Sequence, residues 1–262
     1  MSEELDGKQG VQSMEVGLHI LKAMTTGPGA MMLKEIAAVA GTPPSKAHRY
    51  LVSLIRCGMV EQDPHTSRYS LGPFALSLGL VALDRIDRIR LGLSAIAELR
   101  DAINETTALA VWTATGPVVV RWERPRRPIT VNVLTGTTLG VLTSTAGRVF
   151  GAWLPEAETQ ALIEQEIKAG KAPARIDSLA AAHALLASVK ANGYATIDRE
   201  HVLHGIEAAA APVFNFKNKI SMALLLVGVE GSIDMSPQST AISALRDATH
   251  ALSVRLGATI FD

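Results

Sequence analysis

Apolar residues in the first quarter of the chain recur at intervals of three and four, the spacing that places them on one face of an α-helix. Three such runs are present, and glycine or proline separates each run from the next. The inward positions are Val16, Ile20, Leu21 and Met24 in the first run, Leu33, Ile36, Ala37 and Ala40 in the second, and Ala47, Leu51 and Leu54 in the third. The pattern predicts three short amphipathic helices.

A very short turn joins the second and third of these helices. Gly41 can adopt the left-handed conformation that ends a helix, and a proline such as Pro44 suits the first turn of the next helix. Two helices joined in this way form a helix-turn-helix. Downstream, extended residues flank the turn-rich segment 63–67, which predicts a β-hairpin. Three helices and a hairpin together make a winged helix-turn-helix.

The passage over residues 72–107 is helical in pattern, with weak breaks near Asp84 and Gly92. Its apolar stripe, defined here as Leu76, Leu80 and Leu83, lies among mixed charges. A packed connector with one solvated face is the simplest interpretation.

From Ala108 onward, β-branched runs alternate with helical segments. The predicted strands cover residues 108–114, 117–125, 129–136, 206–214 and 220–229, and the predicted helices cover 145–154, 155–167, 178–193 and 238–258. Strands mixed with helices predict a second domain of α/β type.

Composition limits the possible classes of protein. The chain has 262 residues, of which 48% are hydrophobic, enough for one large or two ordinary domains. Its apolar runs are far shorter than the ~20 residues that a membrane span requires. The single cysteine, Cys57, excludes an internal disulfide and suits a reducing compartment. We expect a cytoplasmic protein with no membrane partner, in which Cys57 is buried and structural.

The formal net charge of +0 provides no overall attraction to nucleic acid. The charge is nevertheless sorted along the chain, because the segment from Gly41 to Val60 contains Lys46, Arg49 and Arg56 but no acidic residue. A local cationic surface suits a specific DNA-binding protein that docks with one helix. Aromatic residues make up 4% of the chain, which leaves few stacking platforms for single-stranded nucleic acid.

Five segments resemble, in the same order, elements of the IclR family of bacterial transcription regulators: VQSMEVGLHIL, LKEIAAVAGTPPSKAHRYLVSL, RYSLG, TSTAGRVFGAWLP and NGYATIDREHVLHGIEAAAAPV. The resemblance covers nearly the whole chain from about Val11. It implies an α+β protein with a flexible arm at residues 1–10, a winged helix-turn-helix DNA-binding domain at 11–72, a linker helix at 73–94, and a GAF-like α/β effector-binding domain at 95–262.

The first turns of the third helix are the part expected to enter a DNA major groove. The residues predicted to contact DNA are Pro44, Ser45, Lys46, His48 and Arg49, with Arg68 on the hairpin. Arg49 can bind guanine edges or phosphate, and Arg68 is expected at phosphate or in the minor groove. The alternative is an ordinary solvated helix face. Family members often carry lysine at the position of Pro44 and threonine at that of Lys46, so their operator preference does not transfer.

The helix predicted to open at Ser144 is the candidate effector site. Its unpaired backbone N–H groups and positive end favour an anion, and small residues let a ligand approach the backbone. By resemblance, the predicted effector contacts are Ser144, Thr145, Ala146 and Gly147 on one side, Asp198 or His201 on the other, and Trp112 as an apolar wall. A plain capped helix is the alternative. Glu207-Ala208 replaces an arginine and cysteine common in the family, which predicts a less polar effector.

Little in the sequence supports an enzyme, because it contains neither a G-x-S-x-G nucleophile elbow nor a phosphate-binding loop. His201 and His204 are three residues apart without cysteine, which is weak evidence for a metal. We expect no catalytic residue, cofactor or metal.

The expected protein is a homodimeric or tetrameric repressor or activator of a catabolic operon. Its partners would be a double-stranded DNA operator and a small carboxylate or aromatic acid. Two alternatives stay open: an enzyme that uses its helix-turn-helix for protein contacts, and an architectural DNA-binding protein without a ligand.

Overall fold

The computed structural model describes residues 10–126, 135–197 and 205–259, and the chain divides after Ile86 into two compact units. The first unit contains α1 (Gln12–Met24), α2 (Leu33–Val39), α3 (Pro44–Arg56), β1 (Val60–Gln62), β2 (Tyr69–Leu71) and α4 (Pro73–Arg85). The second contains α5 (Arg88–Ile103), β3 (Thr106–Thr113), β4 (Gly116–Glu123), α6 (Thr145–Trp153), α7 (Glu156–Lys168), α8 (Leu179–Asn192), β5 (Ala195–Thr196), β6 (Ile206–Phe214), β7 (Ile220–Val229) and α9 (Thr240–Arg255). The predicted α+β class is confirmed.

In the first unit, the apolar faces of α1, α2 and α3 meet in one core, with Ile20, Ile36 and Leu51 fully buried at its centre. The hairpin is also present, with β1 and β2 paired antiparallel. A contact that the sequence did not predict joins the hairpin to the chain before α2. Met31 and Tyr69 exchange two backbone hydrogen bonds of 2.9 and 2.8 Å, so the hairpin is pinned to the helical core.

The passage predicted as one linker helix over residues 73–94 forms two helices instead. α4 ends at Ile86, whose backbone is extended, and Asp87 begins α5 by accepting a 2.9 Å hydrogen bond from the amide of Arg90. The aspartate is an N-cap, which the sequence reading had treated as one charge among several. The helix break therefore lies at residues 86 and 87.

Gly92, predicted as a weak break, is buried inside α5. A Cβ atom at this position would lie 2.9 Å from the side chain of Leu109 and 3.0 Å from the sulfur of Met222. The glycine therefore allows α5 to lie close to the sheet and does not interrupt the helix.

The second unit is built on a five-stranded antiparallel sheet in the order β4-β3-β7-β6-β5. Successive residues on a strand face opposite sides. Thr107 donates a 2.6 Å hydrogen bond to the carbonyl of Ile96 on α5, whereas the adjacent Ala108 packs in the cluster that contains α6. α5 and α9 thus cover one face of the sheet, and α6 covers the other, with α8 packed against it.

The two faces of the sheet differ in side-chain size. The face towards α5 carries large residues such as Leu109 and Met222, whereas the side chains on the face under α6 are mainly those of alanine. The alanines of that face are Ala108, Ala110, Ala210 and Ala223. Small side chains let the backbone of α6 approach the strands closely.

The predicted strands over 206–214 and 220–229 are confirmed residue for residue as β6 and β7. The predicted strand over 129–136 lies almost wholly outside the described residues. At its end and just beyond it, Gly136, Thr137 and Leu139 form backbone hydrogen bonds of 2.7 to 3.1 Å with the outer edge of β4. None of the helices within the described ranges is long and apolar enough to cross a membrane.

Cys57 is exposed, so the expectation that it is buried was wrong. It is the C-cap residue of α3, beyond the buried positions Ala47 and Leu51. Ala47 and Leu51 mark the buried face of α3, but Cys57 follows the last helical residue. The chain leaves the core at this point, so helical spacing does not predict the burial of Cys57.

Candidate functional site

The turn between α2 and α3 is fixed by backbone hydrogen bonds. Gly41 has φ of +59°, a left-handed value that favours glycine. Its amide donates to the carbonyl of Ala38 (3.2 Å), and the amide of Thr42 donates to Ala37 (3.0 Å). This pair of bonds is a Schellman motif, which ends α2 sharply. Pro44 then occupies the first turn of α3, where a missing N–H has no cost.

The beginning of α3 presents the predicted DNA-contact residues. Pro44, Ser45, His48 and Arg49 are exposed and Lys46 is half-buried, whereas Ala47 and Leu51 face the core. Within the described ranges, the side chains of Lys46, His48 and Arg49 form neither a hydrogen bond nor an ion pair. The structure therefore brings five of the predicted residues together at one helix end, and leaves its cations available to an external partner.

Arg68 lies on the hairpin but has partners inside the protein. Its Nη1 atom donates a 2.9 Å hydrogen bond to the carbonyl of Ala30 and lies 3.8 Å from Oε2 of Glu35. The arginine and glutamate side chains are 46% and 53% exposed, so this ion pair contributes little to stability. Arg68 is thus held against the chain before α2, with Glu35 beside any phosphate that it would bind.

The tip of the hairpin is shaped by Asp63. Its Oδ1 atom accepts hydrogen bonds from the amides of His65 (2.7 Å) and Thr66 (3.0 Å). These bonds, that of Thr66 above all, lower the pKa of Asp63 below its usual value because they favour the charged carboxylate. The charged carboxylate of Asp63 therefore accepts both hydrogen bonds of the turn at neutral pH.

In the second unit, Ser144 is the N-cap of α6 and Thr145 is its first helical residue. The Ser144 hydroxyl accepts a 2.9 Å hydrogen bond from the amide of Gly147 and donates a 2.7 Å bond to the carbonyl of Gly140. The cap therefore ties the helix to the segment that precedes it.

The segment 140–142 lies directly over the first turn of α6. The carboxylate of Glu166, on α7, accepts hydrogen bonds from the amides of Val141 and Leu142. A Cβ atom on Gly147 would overlap the backbone of Gly140 and Val141. At Gly147, the packing of the chain itself requires a glycine, which is a reason for the small residue that the sequence analysis did not consider.

The first two amides of α6 belong to Thr145 and Ala146. No acceptor for the N–H groups of Thr145 and Ala146 lies among the described residues, although both residues are buried. Unpaired N–H groups at the positive end of a helix form a site suited to an anion.

Trp112 packs on α6 about one turn further along the helix. Its ring centroid lies 5.6 Å from that of Phe150. Asp198 and His201, together with His204, fall outside the described residues. The structure thus brings Trp112 to α6, but beside its middle and not beside its first turn.

Arg148 has a role that the sequence analysis missed. This buried residue donates from Nε to the carbonyl of Leu142 (2.9 Å) and from Nη1 to that of Thr196 (2.8 Å). Its guanidinium therefore joins the segment before α6 to β5, which begins the second effector motif. The sequence indicated this role only by placing a charged residue among small ones. The residue that it contacts, Thr196, lies 48 positions away in the chain.

Other chemistry is sparse in the described part of the chain. No cluster of three or more metal-ligating side chains was found there. A cavity of about 500 Å³ opens beside β6 and α9, lined in part by Trp153, Phe214 and Arg246. It contains none of the predicted effector residues, so cavity size and the unpaired amides indicate different places.

Comparison with known proteins matches both units to one family. Residues 13–64 match the IclR helix-turn-helix domain, and residues 81–254 match the model described as bacterial transcriptional regulator IclR C-terminal. The chain is 31% identical to the glycerol operon regulatory protein of Streptomyces griseus, over 96% of this chain and 98% of that protein. It is 28% identical to the HTH-type transcriptional regulator XynR of Escherichia coli K12, over 94% and 98%.

Among solved structures, Pseudomonas aeruginosa HmgR is similar to this chain, with 39% identity and a TM-score of 0.83. The match covers 94% of this chain and 98% of that one. The similarity thus extends over both units.

The packing over α6 yields a stability prediction. Gly147→Ala should destabilise the protein by roughly 2 to 3 kcal/mol, because its Cβ meets backbone that Glu166 and Ser144 hold in place. Gly151→Ala, one turn later, is the matched control. Its Cβ meets the flexible side chain of Leu186 at 3.0 Å and should cost less than about 1 kcal/mol. Urea unfolding of both variants measures the difference, and equal stabilities would contradict the close packing.

Proposed function

The chain belongs to the IclR family of bacterial transcriptional regulators, and we propose that it controls a catabolic operon from the cytoplasm as a homodimer or tetramer whose operator affinity responds to a small carboxylate. DNA-binding regulation follows from the family. The catabolic target is supported by the relative named as a glycerol operon regulator. The relatives named as XynR and as the glycerol operon regulatory protein are regulators by name, which supports a regulatory role over a catalytic one.

The observation that carries the proposal is the exposed beginning of α3. A helix of this size fits the major groove, and its N-terminal residues reach the base edges. Lys46, His48 and Arg49 lie there with no side-chain partner among the described residues, in a segment without acidic residues. Arg49 is the proposed base or phosphate contact, with Lys46 beside it, and Arg68 is proposed as a phosphate contact from the hairpin.

Dimer formation is supported by the surface of the first unit. None of the residues of α4 is buried, although the helix is mostly apolar. Its exposed large apolar residues are Phe74, Leu76, Leu78, Leu80 and Val81. On α1, Val11, Met14 and Leu18 are exposed as well. An apolar surface of this extent is stabilised by a partner, and a second copy of the chain also supplies the second recognition helix that a near-palindromic operator needs.

The effector is proposed to bind at the first turn of α6. The unpaired amides of Thr145 and Ala146 supply two donors, and the positive end of the helix adds to the attraction of a carboxylate. The amide of Gly147 already donates to Ser144, so it is left out of the proposed contacts. The apolar residues over this turn, Val141 and Leu142, favour an acid with a hydrocarbon or aromatic body.

The DNA contact is tested with Arg49→Ala. Binding to a DNA fragment from upstream of the protein's own gene should weaken by roughly 1–3 kcal/mol if Arg49 contacts a base. Arg56→Ala, at the exposed end of the same helix, should change affinity less. Fluorescence anisotropy at several salt concentrations provides both the affinity and its salt dependence. If Arg49→Ala changes neither quantity, Arg49 is not at the interface.

The dimer is tested with Leu80→Glu. A charge in the apolar stripe should convert the protein to monomers at micromolar concentration and weaken operator binding, because one recognition helix contacts only a half-site. Ala82→Glu places the same charge at an exposed position of the same helix that faces away from the stripe, and this variant should remain a dimer. Sedimentation velocity measures both. A wild-type protein that is monomeric yet has full operator affinity would rule out this part of the proposal.

The effector site is tested by deleting one backbone donor. Thr145→Pro removes the amide at a position where proline is favoured, after an extended Ser144 that is compatible with it. The variant should still bind operator DNA but should lose about tenfold or more in carboxylate affinity. Thr145→Val keeps the amide and is the control. Calorimetric titration with the effector acid decides, and equal affinity of the two variants would place the acid elsewhere.

A further inference from the structure

A tryptophan on β4 lies on the sheet face that α6 covers. Trp122 is opposite Ala108 in the β3–β4 register and packs against the cluster that contains Ala146. The register continues from Ala108 across the sheet to Leu225, Ala210 and Ala195. Trp122 therefore belongs to the row of side chains that ends beside Ala195 on β5.

This row lies at the end of the sheet that is nearest to the first turn of α6. Arg148, in the first turn of α6, reaches the carbonyl of Thr196, next to Ala195. Phe150 and Trp153, further along α6, contact Trp112 and Phe214. The helix thus runs away from the row of Trp122, and its unpaired amides lie at the same end of the sheet as the indole.

Among the described residues, the buried indole nitrogen of Trp122 has no hydrogen-bond partner. Buried donors are paired in almost all proteins, because an unpaired one loses its bond to water and gains nothing in return. The Ser221 hydroxyl, also buried and unpaired, lies next to the β-bulge at the end of β6 and β7 that includes Phe214. Among the described residues, Trp122 therefore provides an unpaired side-chain donor at the end of the sheet where α6 begins.

We propose that the indole N–H of Trp122 donates a hydrogen bond to an oxygen of the bound effector. The inference rests on the proposed effector site at α6. The amides of Thr145 and Ala146 and the indole of Trp122 are all neutral donors, so the matching ligand presents acceptor oxygens. Arg148 does not replace them, because its Nε and Nη1 atoms donate to the protein backbone. An organic acid with a carboxylate or carbonyl oxygen directed at Trp122 fits this set.

Indole ¹H–¹⁵N resonances of the full-length protein test the inference directly. The chain has three tryptophans, and the variants Trp122→Phe and Trp153→Phe assign their signals. The probes are acetate, pyruvate and benzoate, which span aliphatic, oxo and aromatic acids. With an acid that binds, the Trp122 indole proton should move downfield and exchange more slowly with solvent, because it gains an acceptor.

Affinity provides the second measurement. Trp122→Phe should weaken binding of that acid between about twofold and tenfold, the effect of losing one neutral hydrogen bond. Trp153→Phe removes the same indole group beside the 500 Å³ cavity and should leave affinity unchanged. Both variants should retain operator binding, which shows that they are folded.

The outcomes separate the inference from the proposed function. An acid that binds and leaves the Trp122 resonance and the Trp122→Phe affinity unchanged overturns the inference, while the α6 site stands if Thr145→Pro weakens the same acid. A shift of the Trp153 resonance alone places the acid in the cavity beside β6 and overturns both. If none of the three acids binds the wild-type protein at millimolar concentration, the proposed effector class is wrong and the inference fails with it.

Discussion

The close approach of α6 to its surroundings is the contact on which the effector unit depends. Below the helix, alanines replace the larger side chains found on the opposite face of the sheet. Above its first turn, the segment 140–142 lies so near that only glycine fits at position 147. Glu166 and Arg148 then fix this segment from two sides. Backbone packed against backbone leaves little freedom, so the start of α6 is a rigid platform.

Rigidity at this point has a cost in hydrogen bonding. A helix end in water satisfies its first amides with solvent, whereas the burial of Thr145 and Ala146 removes that possibility. Ser144 compensates for Gly147 only. The same packing that stabilises the unit therefore leaves donors whose natural partner is an anion of small size. Stability and the proposed ligand binding therefore depend on one structural element.

Periodicity in the sequence located most of the helices and strands, and β6 and β7 were found to the residue. Periodicity did not predict the features that depend on contacts between residues far apart in the sequence. The Met31–Tyr69 bridge and the contacts of Arg68 with Ala30 and of Arg148 with Thr196 span 38 to 48 positions. Gly92 shows the same limit, because a glycine that weakens a helix in isolation is the residue that lets α5 pack on Leu109.

The two proposed sites use different parts of the polypeptide, and this difference affects how each can change. The DNA surface consists of exposed side chains on α3, such as Lys46 and Arg49, which can be exchanged without disturbing the core. The family departures at Pro44 and Lys46 are of this kind. The effector site is built on the amides of α6, which any residue except proline provides. Selection among acids must then come from side chains around those amides, and a partly buried indole such as that of Trp122 can distinguish ligands that the backbone alone binds equally.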